Sequence, residues 1–329
     1  MILQTPAIDV HSSVDEAALR QEAVTSLRNN RIEPKFLYVT SHQSGLWRQI
    51  FLRHSPIHGN PEFSRIYREA FGAVLGRISP EKVLLVGLGC GTGAKELDLY
   101  RALHGRGRDA VFAAIDVSRD LVAESIGQLT AAGAEHRRSL VCDLTQTDFL
   151  KDWLEAQEST LPRLITFFGL VPNFMPSAIA IIFRAILRPG DLLLVSAHLA
   201  PVRQETPDEI AAGMSEVLPQ YNNHETLAWL SAALENWGLT ERVQLPGMII
   251  GEVEGVPAFL GLAHWKTTAP FEQWGQIFTP SANTPLRLFY SLRYTPQLFE
   301  EKLRGEGLHA ERLAITSCRQ EAIWCIRSD

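Results

Sequence analysis

Gly89, Gly91 and Gly93 alternate through the stretch VLLVGLGCGTGAKEL at residues 83–97. An apolar run enters the cluster and a helix-like stretch leaves it. Glycines at such a junction let the backbone approach a ligand closely, and the amides of the following helix N-terminus point at it. Phosphate-like and nucleoside-like groups are held in this way. A tight strand-to-helix turn uses the same residues, so the glycines alone decide nothing. Two acids extend the pattern. Asp116 ends a second apolar run in AAIDVS, and Asp143 ends a third in VCDL. A carboxylate at the end of the second strand suits a ribose diol.

Two cofactors compete for this pattern. A dinucleotide fingerprint reads G-x-G-x-x-G with an acid about 20 residues on. Here the spacing is G-x-G-x-G, with Ala94 in the last place of the G-x-G-x-x-G/A form. Asp116 suits either ligand. Asp143 with Leu144 favours S-adenosylmethionine, because an acid beside an apolar residue at the third strand end commonly holds adenine. The stretch ILRPGDLLLV resembles the Leu-x-Pro-Gly-Asp turn before the fifth strand of class I methyltransferases.

The elements that must hold these residues are legible around them. Asn60 and Pro61 open a helix whose stripe Phe63, Ile66, Tyr67, Ala70, Phe71, Val74 and Leu75 recurs at helical spacing. SVDE at 13–16 reads as a capping box and predicts a helix over 14–28. Strands are then expected at 83–88, 110–116, 139–142, 164–168 and 192–197, with helices at 94–104, 119–131, 145–156 and 176–187. Apolar strands separated by helices predict a parallel sheet covered on both faces and doubly wound.

The alternation breaks near residue 200. Helices in TPDEIAAGMSEVL and NHETLAWLSAALENWG precede strand-like runs at 242–254, 258–266 and 286–294. A helix at 296–306 and two strand-like runs at 309–317 and 321–327, spaced for a hairpin, follow. The expected fold class is α/β, a Rossmann-like doubly wound sheet with an antiparallel C-terminal hairpin and a second α+β domain. Residues 59–199 with 295–329 are expected to form the cofactor domain, and 1–58 with 200–294 a substrate domain.

Composition narrows the partners. The chain has 329 residues and a net charge of −6. That balance argues against a large nucleic-acid face, which needs basic residues. The basic HGRGRD at 104–109 reads as a solvated loop. Cys90, Cys142, Cys318 and Cys325 are scattered, with no CxxC pair and no zinc spacing. They read as buried reduced thiols, and no metal is expected. No signal peptide and no transmembrane stretch stand out, so a cytoplasmic soluble protein with a small-molecule substrate is expected. The oligomeric state stays open, with a monomer compatible.

Further stretches carry a closer resemblance. KFLY at 35–38, SGLWRQI at 44–50, GLGCGTGAK, IDVS, FFGLVPNF at 167–174, YNNHETLAWLSAALE and RLFYSLRYTPQLFEEKLRGEGL are similar to the signatures of one family. It is the amino-acid N-methyltransferases typified by histidine Nα-methyltransferase of ergothioneine biosynthesis. The resemblance covers most of the chain. It implies a class I domain with a second domain inserted before the last strands. It also implies that Gly89, Gly91, Lys95, Asp116, Asp143, Leu144 and Gly169 hold S-adenosylmethionine, and that Asn173 contacts the substrate. Asn173 reads equally as a helix-entry cap before Pro176. Tyr38 reads as a pocket wall or as core.

The departures from that family bear on the substrate. Histidine enzymes grip the imidazole with Glu-x-Ser in the strand before the last helix, whereas this chain has Phe289, Tyr290 and Ser291. Two substrate tyrosines of the family fall on Ile57 and Ala211, and the acid often found two residues before the first glycine is Gly87. The expected activity is therefore N-methylation of a small amino acid or amine other than histidine, by in-line transfer to a neutral amine with no metal. Phe289, Ser291, Asn173 and Tyr38 are the expected substrate residues, and no catalytic residue is assigned. One alternative is an O- or C-methyltransferase with a base such as His54, His58 or His224. The other is a non-catalytic protein that binds S-adenosylmethionine.

Overall fold

The computed structural model describes residues 7–54, 60–136, 138–157, 160–281 and 284–328. Its centre is a sheet in the order β1-β5-β3-β2-β6-β7-β14-β13, with β4 paired to β3. These strands are β1 (Ala7–Val10), β2 (Lys82–Leu88), β3 (Asp109–Asp116), β4 (Glu135–His136), β5 (Arg138–Val141), β6 (Arg163–Phe168), β7 (Leu192–His198), β13 (Leu308–Ile315) and β14 (Glu321–Ser328). The strands from β1 to β7 in this sheet run parallel, and β14 and β13 run antiparallel at the end. The expected α/β class, with its C-terminal hairpin, is the one observed.

The sheet is buried on both faces because its strands alternate. Leu84, Val86 and Leu88 enter one core with Val111, Ala113 and Ile115, while Val83 and Leu85 enter the other with Ala110, Phe112 and Ala114. Helices α3 (Pro61–Leu75), α4 (Ala94–His104), α5 (Arg119–Ala131), α6 (Thr147–Glu155) and α7 (Pro176–Ile186) flank it. Asn60 caps α3 through the Glu62 amide, as its sequence predicts. The RPGD turn closes on a buried ion pair, with Asp191 accepting from Arg163 Nε at 2.8 Å and from the Arg188 amide at 2.8 Å.

A second antiparallel sheet has the order β12-β9-β8, made of β8 (Val243–Val253), β9 (Val256–Trp265) and β12 (Leu286–Leu292). A third core joins its inner face to helices α1 (Glu16–Arg28), α8 (Pro207–Val217) and α9 (His224–Asn236), through residues such as Leu27, Phe36, Met214, Trp229 and Phe289. A small hairpin, β10 (Phe271–Gln273) with β11 (Gln276–Phe278), lies beside it.

Several expectations are corrected. Residues 7–10, expected in the substrate domain, are an edge strand of the large sheet, because Asp9 accepts from Arg138 at 2.6 Å and from Trp153 Nε1 at 2.8 Å. The capping box at 13–16 does not form. Asp15 precedes α1 without a side-chain cap, and Ser13 Oγ instead accepts from the Asp143 amide at 3.1 Å. Cys318 is exposed, unlike the other three thiols. No helix among the described residues is long and apolar enough to cross a membrane.

Candidate active site

A cavity of about 550 Å³ opens at the carboxyl ends of β2, β3, β5, β6 and β7, which is where open α/β sheets place ligands. All of the predicted site residues line it: Gly89, Gly91, Lys95, Asp116, Asp143, Leu144, Gly169, Asn173, Tyr38, Phe289 and Ser291. Its size falls within the range of small-molecule sites.

The glycine turn is shaped by contacts that leave no room for a side chain. Gly89 has φ +57°, and a Cβ there would stand 2.0 Å from Leu170 Cδ1. Gly93 caps α4 with φ +79°, and a Cβ there would stand 2.3 Å from Ser125 Oγ. The freed backbone turns inward, so that the Gly91 amide donates to Asp116 Oδ2 at 3.1 Å and the Ser118 amide to Oδ1 at 2.9 Å. Burial raises the Asp116 carboxyl to about 6 despite these donors. A buried carboxylate fixed by two amides keeps outer lone pairs for a diol.

Asp143 is engaged differently. Its Oδ1 accepts from the Thr145 amide at 2.8 Å, and its Oδ2 from Lys35 Nζ at 2.6 Å. Lys35 also pairs with Glu22. Lys95 has no carboxylate partner of its own among the described residues. Its ammonium lies 4.8 Å from the Tyr67 ring centre and 5.7 Å from that of Phe168. Burial lowers its pKa, while Glu321 and Glu96 pull the other way.

Sequence reasoning missed Glu96. A Cβ on Gly87 would meet Glu96 Cγ at 3.2 Å, so the Glu96 side chain occupies the place that an acid at position 87 would fill. Its carboxylate accepts from Thr166 Oγ1 at 2.7 Å, and burial raises its pKa. An acid thus stands beside the glycine turn, carried by the helix after the glycines and not by the strand before them.

The other wall comes from the second sheet and from an N-terminal strap at residues 32–38. Asn173 Nδ2 donates to Tyr38 Oη at 3.4 Å, and the Asn173 carbonyl accepts from Tyr290 Oη at 3.0 Å. Asn173 does not cap the next helix, whose N-cap is Met175. The strap is tied down by Trp229 Nε1 donating to the Leu37 carbonyl at 2.8 Å and by the Ile32 amide donating to Arg287 O at 2.7 Å. Trp47 and Trp229 meet the Tyr38 ring edge-on, 6.0 and 5.4 Å between centres. Phe289 packs against Trp229 and Tyr221.

Of the two tyrosine positions, Ile57 lies outside the described residues. Ala211 is exposed on α8 and does not line the cavity. Tyr221 presents a phenol there instead, with Oη 3.1 Å from Ser291 Oγ. Among the candidate bases, His54 lines the cavity and meets Glu225 at 3.2 Å. His224 is exposed and away from the lining, and His58 lies outside the described residues. His198, which the sequence did not single out, lines the cavity. Burial, then Arg293 and Lys95, hold its imidazole neutral, with a pKa well below the usual value.

No curated protein sequence matches the chain. Among solved structures, magnesium protoporphyrin IX methyltransferase from Synechocystis PCC 6803 is similar at 13% identity, over 92% of this chain and 99% of that one, with a TM-score of 0.45. The CcbJ methyltransferase of Streptomyces caelestis is similar at 13% identity, over 79% and 89%, with a TM-score of 0.39. The 1,6-didemethyltoxoflavin-N1-methyltransferase of Burkholderia thailandensis is similar at 12% identity, over 94% and 90%, with a TM-score of 0.41. Likenesses this distant add nothing to the strand order itself. The family described as histidine-specific, SAM-dependent methyltransferases matches residues 19–234, about two-thirds of the chain. That match spans the strap, the glycine turn, Asp116, Asp143 and Asn173, and by it the chain belongs to this family and is an S-adenosylmethionine-dependent methyltransferase.

Proposed function

We propose that the protein N-methylates a small amino acid or amine other than histidine. One observation carries this reading: the family's cofactor residues and Asn173 share a cavity whose imidazole-gripping acid is replaced by Phe289, buried against Trp229. S-adenosylmethionine supplies an electrophilic methyl on a sulfonium. What remains for the protein is alignment and exclusion of water.

In this reading Asp116 holds the ribose diol, Leu144 and Asp143 flank the adenine, and the glycine turn admits the nucleoside. The unpaired Lys95 ammonium, beside Gly169, takes the methionyl carboxylate. Asn173 and Tyr38 orient the amine, and Trp47, Trp229 and Phe289 keep water away. Aromatic faces also tolerate the positive charge that spreads in the transition state. A neutral amine needs no strong base. The division into a cofactor part, 59–199 with 295–329, and a substrate part, from about residue 11 to 58 with 200–294, belongs to the same proposal and is supported by the third core.

An imidazole N–H desolvated against Phe289 loses its hydrogen bond, at ~1–3 kcal/mol, whereas an apolar side chain gains ~25 cal/mol per Å² buried there. A competition assay with labelled cofactor, offering histidine against aromatic and aliphatic amino acids, tests this. Efficient trimethylation of histidine would refute it. A hydroxyl nucleophile is the second reading, favoured by the neutral His198 on the cavity wall. Turnover of hydroxylated substrates that His198→Ala abolishes would establish it instead.

A further inference from the structure

Phe289, Ser291 and Arg293 alternate along β12 and the residue that follows it, so they form one column on the cavity wall. Arg293 is 4% exposed. One terminal nitrogen donates to Tyr221 Oη, which in turn meets Ser291 Oγ at 3.1 Å. The rings of Tyr221 and Phe259 lie 5.4 and 5.3 Å from the guanidinium carbon. Arg293 Nε has no hydrogen-bond partner, and Arg293 forms no ion pair among the described residues.

This is an unusual state for a group that keeps its proton under all ordinary conditions. A buried charge is costly unless it is paired. Arg163 is as deeply buried, yet it has Asp191 against two of its nitrogens. Arg293 has a phenol, two ring faces and a cavity; the carboxylate of Glu321 attracts it from beyond ion-pair distance and accepts instead from Tyr67 Oη at 2.5 Å. The neighbouring imidazole of His198 is neutral and supplies no negative charge.

We propose that the methyl acceptor brings the missing anion, a carboxylate seated against Arg293 with Tyr221 and Ser291 beside it. Its apolar body then lies along Phe289 and Trp229. A carboxylate fits better than a phosphate, because one guanidinium fork and two hydroxyls neutralise a single charge but leave a dianion under-compensated. The inference rests on this cavity being the methyl-transfer site. It adds that Arg293, and not Asn173 alone, selects the substrate by charge.

The test uses the full chain saturated with S-adenosylhomocysteine. Matched acid and amide probes are titrated by calorimetry: 3-phenylpropanoate with its amide, indole-3-propanoate with its amide, and 4-methylpentanoate with its amide. At least one acid should bind about tenfold or more tighter than its amide. In Arg293→Gln the acid should fall to the level of the amide, with homocysteine-cofactor affinity unchanged, and Arg293→Lys should keep part of the preference. The proposal is overturned if no acid out-binds its amide on the native chain, which requires no variant to fold. It is also overturned if Arg293→Gln keeps the preference, or if that variant loses S-adenosylhomocysteine, since Arg293 would then serve the cofactor. A native chain that binds no S-adenosylhomocysteine defeats the underlying reading of the cavity, and this inference with it.

Discussion

Lys35 Nζ stands 2.6 Å from Asp143 Oδ2, across 108 positions of chain, and so joins the N-terminal strap to the end of β5 at the cavity rim. Burial alone would push the Asp143 carboxyl up, but Lys35 and the Thr145 donors outweigh it and hold the pKa below the ordinary value. Lys35→Met should therefore cost about 3 kcal/mol, because Asp143 stays buried without its counter-charge. An acid with a depressed folded pKa contributes stability above its unfolded value, and that stability is lost as pH falls through the folded one. The deficit should be largest near neutral pH and narrow as pH falls and Asp143 takes up its proton, as measured by chemical denaturation with circular dichroism at each pH. Equal stability of variant and native chain at pH 7 would show that the pair contributes nothing.

Asp116 has the opposite sign. Its folded pKa is raised from 3.8 to about 6, so between those values the folded chain keeps a proton that the unfolded chain has released. Stability falls as pH rises through that window, by up to ~3 kcal/mol for a shift of this size. Asp116→Asn should remove this slope and melt higher than the native apo chain at pH 8, with a smaller difference at pH 4. The same variant should bind S-adenosylhomocysteine more weakly by ~1.5–3 kcal/mol. Native affinity should strengthen with pH through about 6, and the variant's should not.

Glu96 fills the space beside Gly87. Glu96→Ala should weaken S-adenosylhomocysteine by ~1.5–3 kcal/mol, as expected for loss of a charged partner. Gly87→Asp alone should destabilise the fold, because its Cβ would press on Cys90 Cβ at 3.1 Å and on Glu96 Cγ at 3.2 Å. The double variant Gly87→Asp, Glu96→Ala should recover part of the affinity, since the Glu96 contact is relieved while that with Cys90 stays. If the double variant binds no better than Glu96→Ala, Glu96 does not stand in for the acid.

Phe289→Glu restores Glu-x-Ser with Ser291. It should raise methylation of histidine above the native level and depress that of apolar amino acids by about tenfold or more, through lost burial and a new carboxylate near Arg293. Steady-state rates on both substrate types check the exchange. No gain on histidine would place the specificity elsewhere on the wall.

The large sheet was legible because strands buried on both faces are continuous apolar runs. Lys82–Leu88 and Asp109–Asp116 begin one residue before the predicted strands and end with them. Ala7–Val10 was not legible, since four residues at an edge carry no periodicity and are held by Asp9 through Arg138 and Trp153. Helix α2 (Ser41–His54), which carries Trp47, opens on a capping box that sequence reasoning missed: Thr40 Oγ1 accepts from the Gln43 amide at 3.2 Å and Gln43 Oε1 from the Thr40 amide at 3.3 Å, but no clean apolar stripe follows to mark the helix. In the cavity, glycines and strand-end acids stood out because the turn itself demands those residue types. Lys35, Glu96, Tyr221 and His198 did not, because their meaning lies in partners brought near only by folding. Arg293 had one available signal, its place two residues beyond Ser291 on the same strand face.

The strap at residues 32–38 has a thermodynamic corollary. Lys35 reaches Asp143, on the proposed cofactor side, while Tyr38 and Leu37 reach Asn173 and Trp229 on the other wall. These contacts fall within four consecutive residues, 35–38, so the two sites share one short lever. Any ligand that stiffens one end makes the other cheaper to order, and linkage requires the effect to be equal in both directions. The two ligands should therefore bind in a preferred order, with methyl-acceptor affinity higher in the presence of S-adenosylhomocysteine than in its absence. Lys35→Met should uncouple them, leaving each affinity indifferent to the other ligand.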